Sequence, residues 1–406
     1  MYLVTHRRES RTLTALIWRH ATPLVLTAML GALSCTPAPA PAPPAPAPVG
    51  DMDLNAAAKQ VATDLSQQIT AGPGRPVVID PILDRSSGQQ TGVSVRVEAA
   101  LAPALTSAGT AKGLSILPFT GEGAASARFV MAGTVSLVTA PDHYALSVSL
   151  TDKETGLVVA QSAARFVEAG LDQSPTKFYN DSPSLTRDRS VDGYVRTSET
   201  HAGSPADALY VSQLSTSALL AEALDAYNAE RWEQSLSRYT AASQRPDGAQ
   251  LRTFNGIYLT NVRLGRLPAA EAAFGRIAQL GLATNNLAVK LLFKPGSSTE
   301  FWPGAQLAGV YPMWVRQIAR AAQSTRVCLK IVGHTSRSGS EAVNDPLSLS
   351  RAETVKKMME AEVRGLSAQL SATGVGFREN IVGTGKDDAS DAIDRRVEFK
   401  VIECVR

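Results

Sequence analysis

Gly333-His334-Thr335-Ser336-Arg337-Ser338-Gly339-Ser340-Glu341-Ala342-Val343-Asn344-Asp345-Pro346-Leu347-Ser348-Leu349-Ser350-Arg351-Ala352-Glu353-Thr354-Val355 decides how the rest of this 406-residue chain is read. Just before it, Arg326 to Val332 alternates as a β-strand that runs into a glycine turn. A polar loop follows, then an amphipathic helix. The pattern opens that helix at Pro346, since proline is favoured at a first helical position, and Arg351 then falls in its second turn. One guanidinium stands beside a loop of hydroxyls, amides and backbone N–H groups. Such a setting suits a small zwitterion bearing a carboxylate.

The spacing Gly333-His334-Thr335, Gly339, Asn344, Leu347-Ser348, Arg351-Ala352 and Val355, with Asp394-Arg395-Arg396-Val397-Glu398 near the C-terminus, resembles the OmpA-like peptidoglycan-binding domain. The resemblance covers roughly Leu287 to Cys404. It implies an α/β sandwich in which Arg351 holds a carboxylate of the diaminopimelate in the wall's stem peptide. Thr335, Ser336 and Asn344 would line that site. Arg395 or Arg396 would help to shape it, with Arg396 as the site residue; ion pairing with Asp394 or Glu398 is the structural alternative. One position departs from the family. The aspartate that follows the threonine, and holds the ligand's ammonium, is Ser336 here. Losing that charge-assisted bond costs about 1.5–3 kcal/mol, tenfold or more in affinity. Glu341 and Asp345 are the nearby carboxylates that would compensate. The rival reading is a domain that keeps the fold and has lost the ligand.

The chain opens with Arg7, Arg8, Arg11 and Arg19, then an apolar run from Pro23 to Leu33, then Ser34-Cys35. That order is a secretory leader, and the run is too short to span a membrane. Gly31-Ala32-Leu33-Ser34-Cys35 resembles a bacterial lipobox, with Ala32 where leucine is usual. The resemblance implies lipidation of Cys35 and a membrane anchor; an ordinary leader with an incidental cysteine is the alternative. Residues 36–50 are a Pro/Ala-rich spacer, which cannot form a packed core. Of three cysteines, Cys328 and Cys404 are then left for an oxidising compartment. Strand alternation puts both on one sheet face if their strands are neighbours, which permits a disulfide without requiring one.

Residues 51–170 read as an α+β sandwich. Leu54, Ala58, Val61, Leu65 and Ile69 recur at helical spacing, and Val93, Val97, Leu101 and Leu105 mark a second helix. Strands follow at Pro76–Asp80, Leu114–Phe119, Ala127–Leu137 and Tyr144–Leu150, with a return at Leu157–Ala160. Ala132-Gly133-Thr134-Val135 and the Leu150-to-Val159 hairpin resemble a domain of exported flagellar, curli and penicillin-binding-protein-activator lipoproteins. That implies a protein-contact module. Asp80 and Asp84 read as turn residues, and Gly121-x-Gly123 as a loop that lacks the lysine of a phosphate cradle.

Residues 171–215 are polar and read as an irregular bridge, packed by Phe178, Tyr179 and Tyr194. In 216–283, Trp232, Ser235, Tyr239 and Ala242 recur as Leu267, Ala270, Phe274 and Ile277, each 35 residues on. This short α-helical repeat region resembles the tetratricopeptide repeat, whose groove typically holds a peptide or partner protein. Residues 287–406 form the C-terminal domain, with strands expected at Ala288–Phe293 and Ile381–Gly383 and a solvated loop at Gly385–Asp391.

A net charge of +3 gives no nucleic-acid footprint. The histidines lack metal-ligand spacing, and no nucleophile elbow, P-loop or dinucleotide fingerprint is present. The sequence therefore reads as a multi-domain, non-enzymatic lipoprotein of the bacterial outer membrane, facing the periplasm, with no cofactor and no metal. It would anchor to peptidoglycan and scaffold envelope proteins through its first two modules. The alternatives are an assembly or secretion adaptor, or an activator of a wall enzyme.

Overall fold

The computed structural model describes residues 52–72, 74–138, 141–293, 297–301, 309–386 and 390–404. The basic leader, Cys35 and the Pro/Ala spacer lie outside these residues. The chain from Val49 onward clusters as one unit.

The first part runs α1 (Leu54–Gln68), β1 (Arg75–Ile79), β2 (Leu83–Asp84), α2 (Gly92–Gly109), β3 (Leu114–Leu117), α3 (Gly121–Ser126), β4 (Phe129–Leu137), β5 (His143–Asp152) and β6 (Val158–Val167). Asp53 caps α1, and a Thr91/Ser94 capping box opens α2. The strands form one sheet in the order β3-β1-β4-β5-β6, with β2 added beside β4. Strict alternation pays out as two faces. Val77, Phe129, Met131 and Val135 pack under α1 and α2, while Val78, Val130 and Ala132 face the other way. Gly121-x-Gly123, expected as a loop, instead opens α3, because the Thr120 hydroxyl accepts the Gly123 N–H (3.1 Å) and caps the turn.

The stretch expected to be irregular holds α4 (Lys177–Asp181), α5 (Arg189–Ser198) and α6 (Ala208–Ser212). Its polar composition hid them, because the residues that fix them bond to distant chain. Tyr194 shows how. Strand β4 pairs with β1 up to Met131 and with β2 from Thr134, so Gly133 faces the gap between those ladders. The Tyr194 hydroxyl fills it, accepting the Gly133 N–H (2.8 Å) and lying 2.7 Å from the Gly133 carbonyl and 2.8 Å from that of Pro81. Val191, Tyr194, Val195 and Tyr210 thereby cover the sheet's second face.

Asp80, read as a turn residue after the strand, lies in the interior. It is 7% exposed and accepts the Tyr210 hydroxyl (3.0 Å).

Helices α7 (Leu214–Asn228), α8 (Trp232–Ser243), α9 (Leu251–Arg263) and α10 (Leu267–Ala283) follow. Small residues let them approach. The Ser235 hydroxyl donates to the Ala223 carbonyl (2.8 Å), and a Cβ on Gly256 would sit 2.3 Å from the Tyr239 ring.

The last part comprises β7 (Leu287–Val289), α11 (Tyr311–Thr325), β8 (Cys328–Gly333), α12 (Glu341–Glu362), β9 (Leu370–Gly374) and β10 (Val397–Ile402). Its sheet has the order β7-β10-β8-β9, antiparallel except for β8 with β9. A Cys328–Cys404 disulfide ties β8 to the chain just past β10. Trp314 of α11 stacks on Phe274 of α10 (5.4 Å between centroids) and donates its indole N–H to the Tyr258 hydroxyl (2.9 Å). The helices α7–α10 and the C-terminal sheet thus share one hydrophobic core. The bridge also extends that sheet: Leu185 N–H donates to Ala288, and Lys290 N–H to Pro183.

Ile381-Val382-Gly383, expected as a strand, is a bend. The buried Asp394 carboxylate accepts the N–H groups of all three, at 2.6, 3.2 and 2.8 Å. None is left to join a ladder.

Candidate functional site

Helix α12 begins at Glu341, a turn and a half before Pro346, so Arg351 lies in its third turn rather than its second. Pro346 is therefore inside the helix, near enough to its start to be tolerated. Two glycines decide where the helix sits. A Cβ on Gly333, at the end of β8, would lie 2.0 Å from the Ser348 carbonyl oxygen. A Cβ on Gly374, at the end of β9, would lie 2.3 Å from Leu349 N and Ser348 Oγ. Only glycines at both strand ends admit the helix backbone this closely. Ser348 locks the contact, accepting the Gly376 N–H (2.9 Å) and donating to the Asp345 carbonyl (2.8 Å).

One turn on, Arg351 is 6% exposed. Its Nε donates to the Ser297 carbonyl (3.1 Å), and its guanidinium lies over the Phe293 ring, 5.1 Å from the centroid. Phe293 in turn packs on Phe301, and Ser350 donates to Ser298 (2.8 Å). Phe293 and residues 297–301 are thus held against the guanidinium. A planar cation on an aromatic face keeps its in-plane N–H edge oriented, the geometry in which arginine binds carboxylates. Phe293 and Ser297 were read from the sequence as a strand end and a loop; nothing in their spacing showed that they would seat Arg351.

The motif loop is folded inward. Thr335 donates its N–H to Gly376 (2.9 Å), while its hydroxyl is buried and has no hydrogen-bond partner among the described residues. Ser336, 4% exposed, lies 3.3 Å from the Ser338 hydroxyl. The Asn344 amide donates to the Ser338 and Ser340 carbonyls (2.8 and 3.1 Å), closing the loop onto its own helix. Glu341 and Asp345 do not stand ready for an ammonium: both are paired with Arg378, at 2.8 and 2.6 Å.

Arg396 lies in an internal ion pair. It meets Glu398 at 2.6 Å and donates to the Glu379 carbonyl (3.1 Å), whereas Nη1 is buried with no hydrogen-bond partner among the described residues. Burial alone would raise the Glu398 carboxyl, but His334 and the Arg396 guanidinium hold it well below the usual carboxylate range. Burial, aided by Arg396, pushes His334 down, so the imidazole is neutral near pH 7 despite Glu398 at 3.6 Å. His334, Glu379 and Glu398 bring potential metal-ligand atoms within 4.8 Å of one another. The 64-residue gap in sequence concealed that cluster, and the Arg396 guanidinium already pairs with Glu398 within it (2.6 Å). Asp391, expected in a solvated loop, is buried and accepts the Thr384 N–H (2.9 Å).

No helix among the described residues is long and apolar enough to cross a membrane. No curated protein matches the chain. Similar solved structures include the peptidoglycan-associated lipoprotein from Burkholderia pseudomallei, at 26% identity over 28% of this chain and 89% of that one (TM-score 0.24). They also include the cell wall anchor of the T6SS from Pseudomonas aeruginosa, at 24% identity over 29% and 79% (TM-score 0.23). A third is the periplasmic domain of Helicobacter pylori MotB, at 21% identity over 29% and 74% (TM-score 0.24). Residues 306–393, which carry α11, β8, α12, β9 and Arg351, match the OmpA family and form an OmpA-like domain.

Proposed function

We propose that this chain is a non-enzymatic cell-envelope lipoprotein that attaches to peptidoglycan through its C-terminal domain. Arg351 is the carboxylate-binding group, and Thr335, Ser336, Asn344 and Arg396 shape the loop and wall around it. Cys35 is the lipid anchor at the outer membrane, residues 36–50 are the spacer, and the first domain and helical repeats contact other envelope proteins. The observation that carries this reading is the seating of Arg351. Gly333 and Gly374 bring α12 onto the sheet ends, and Phe293 and Ser297 orient the guanidinium within an OmpA-like domain. The buried Thr335 hydroxyl of the motif, without a partner among the described residues, supports it, since such groups in native proteins call for a partner.

Co-sedimentation of the purified protein with insoluble peptidoglycan tests the reading. Wild type is retained and Arg351→Ala is not; failure of wild type to sediment refutes it. A second reading, an assembly adaptor that has lost wall binding, is favoured by specific contacts. Ser336 lacks the family's charge, and Arg378 already holds Glu341 and Asp345. The same sedimentation separates the two.

A further inference from the structure

A cleft of about 810 Å³ opens between the first domain and the OmpA-like domain, within the size range of ligand pockets, about 300–1,000 Å³. Gln89, Leu137 and Arg165 line it from the first domain, and Arg337 and the 381–384 bend from the other. It is separate from Arg351, which does not line it.

Among the described residues its lining is net positive, Arg165 and Arg337 against Asp84. Arg165 and Arg337 are both exposed, and neither side chain makes an ion pair or hydrogen bond among the described residues. Among the described residues Asp84 is the one lining carboxylate; it is engaged by the Ser86 hydroxyl (2.6 Å) and by the N–H and hydroxyl of Ser87 (2.7 and 2.8 Å). The backbone N–H groups of the 381–384 bend point at Asp394 and Asp391, so that wall offers no backbone anion nest. Anion recognition there falls to Arg337.

A second observation is independent of charge. Gln89, 2% exposed, lines the cleft from the first domain and carries both a donor and an acceptor on its side chain. A peptide group offers the matching acceptor and donor. The two cations sit on different domains, so a ligand that meets both is elongated and carries separated acidic groups. Leu137, 42% exposed, adds an apolar group to the lining.

We propose that this interdomain cleft is a binding site for an acidic peptide, one carboxylate paired with Arg165, another with Arg337, and a peptide group with Gln89. The site bridges the two domains, so occupancy couples their relative position to the ligand.

Isothermal titration of the full chain with tetraglutamate tests this. Wild type binds, more weakly as salt rises. Arg165→Glu and Arg337→Glu each weaken binding about tenfold or more, since each replaces a charge-assisted pair with a repulsion. Arg351→Ala leaves it unchanged, and this separates the cleft from the wall-binding reading. Both arginines are exposed and unpaired among the described residues, so the variants keep the wild-type melting curve. Absence of binding by wild type, or binding unaltered in both charge reversals, overturns the proposal.

Discussion

Replacing Asp80 with asparagine should stabilise the protein above pH 7 and leave it nearly unchanged near pH 4. Asp80 follows β1 into the interior, where the Tyr210 hydroxyl donates to it at 3.0 Å. It lines a cavity of about 30 Å³ together with Tyr179, Tyr194 and Arg252. Burial pushes its carboxyl up from the usual 3.8 to about 7, against the opposing pull of Arg252. Between those values the native state holds a proton that the unfolded chain has released. Stability from this group is therefore complete below about pH 4, falls as pH rises, and is lost above pH 7. The full span corresponds to about 4 kcal/mol. Asparagine keeps the shape and the acceptor for Tyr210 but never ionises. Urea denaturation of wild type and Asp80→Asn, from pH 4 to pH 8, should give curves that coincide at the acid end. They should separate by up to about 4 kcal/mol at the alkaline end, the variant being the more stable. A variant less stable than wild type at pH 8 would refute the reasoning, because Asp80 would then be an ionised partner of Arg252.

Gly333→Ala should destabilise the C-terminal domain by about 1–3 kcal/mol, the range for overpacking, since its Cβ would meet the Ser348 carbonyl at 2.0 Å; the urea midpoint followed by tryptophan fluorescence reads it. Reducing the Cys328–Cys404 bond, which closes a separation of 76 residues, should cost roughly 4 kcal/mol by loss of the cross-link. An unchanged midpoint in reductant would contradict that. Ser336→Asp should tighten co-sedimentation with peptidoglycan about tenfold by restoring a charged acceptor for an ammonium; equal or weaker retention would show that this position does not limit binding.

What the sequence disclosed, and what it withheld, follows one physical division. Periodic burial is local and legible: Tyr144, Leu146, Val148 and Leu150 alternate in sequence and are each at most 1% exposed. So is the glycine, serine and arginine spacing of the OmpA-like motif, because backbone proximity requires it. Partnerships across the chain were not legible. The bridge looked irregular because its helices depend on bonds such as that of Tyr194 to Gly133, 61 residues away. Ile381-Val382-Gly383 has the composition of a strand, but the Asp394 carboxylate takes its N–H groups. Pro346 looked like a helix start, and the helix begins earlier at Glu341. For Arg396 the sequence left pocket wall and ion pair both open. The structure shows the pair with Glu398, two residues along the same face.

The central claim is that Arg351, without the family's acidic companion, still grips a carboxylate of the wall. A co-sedimentation isotherm against purified peptidoglycan, comparing wild type, Arg351→Lys and Arg351→Ala, tests it most directly. Lysine keeps the charge but lacks the planar fork. The account predicts saturable binding by wild type, weaker binding by the lysine variant, and a loss of about tenfold or more in the alanine variant. Equal retention of all three, or no sedimentation of wild type, would contradict it.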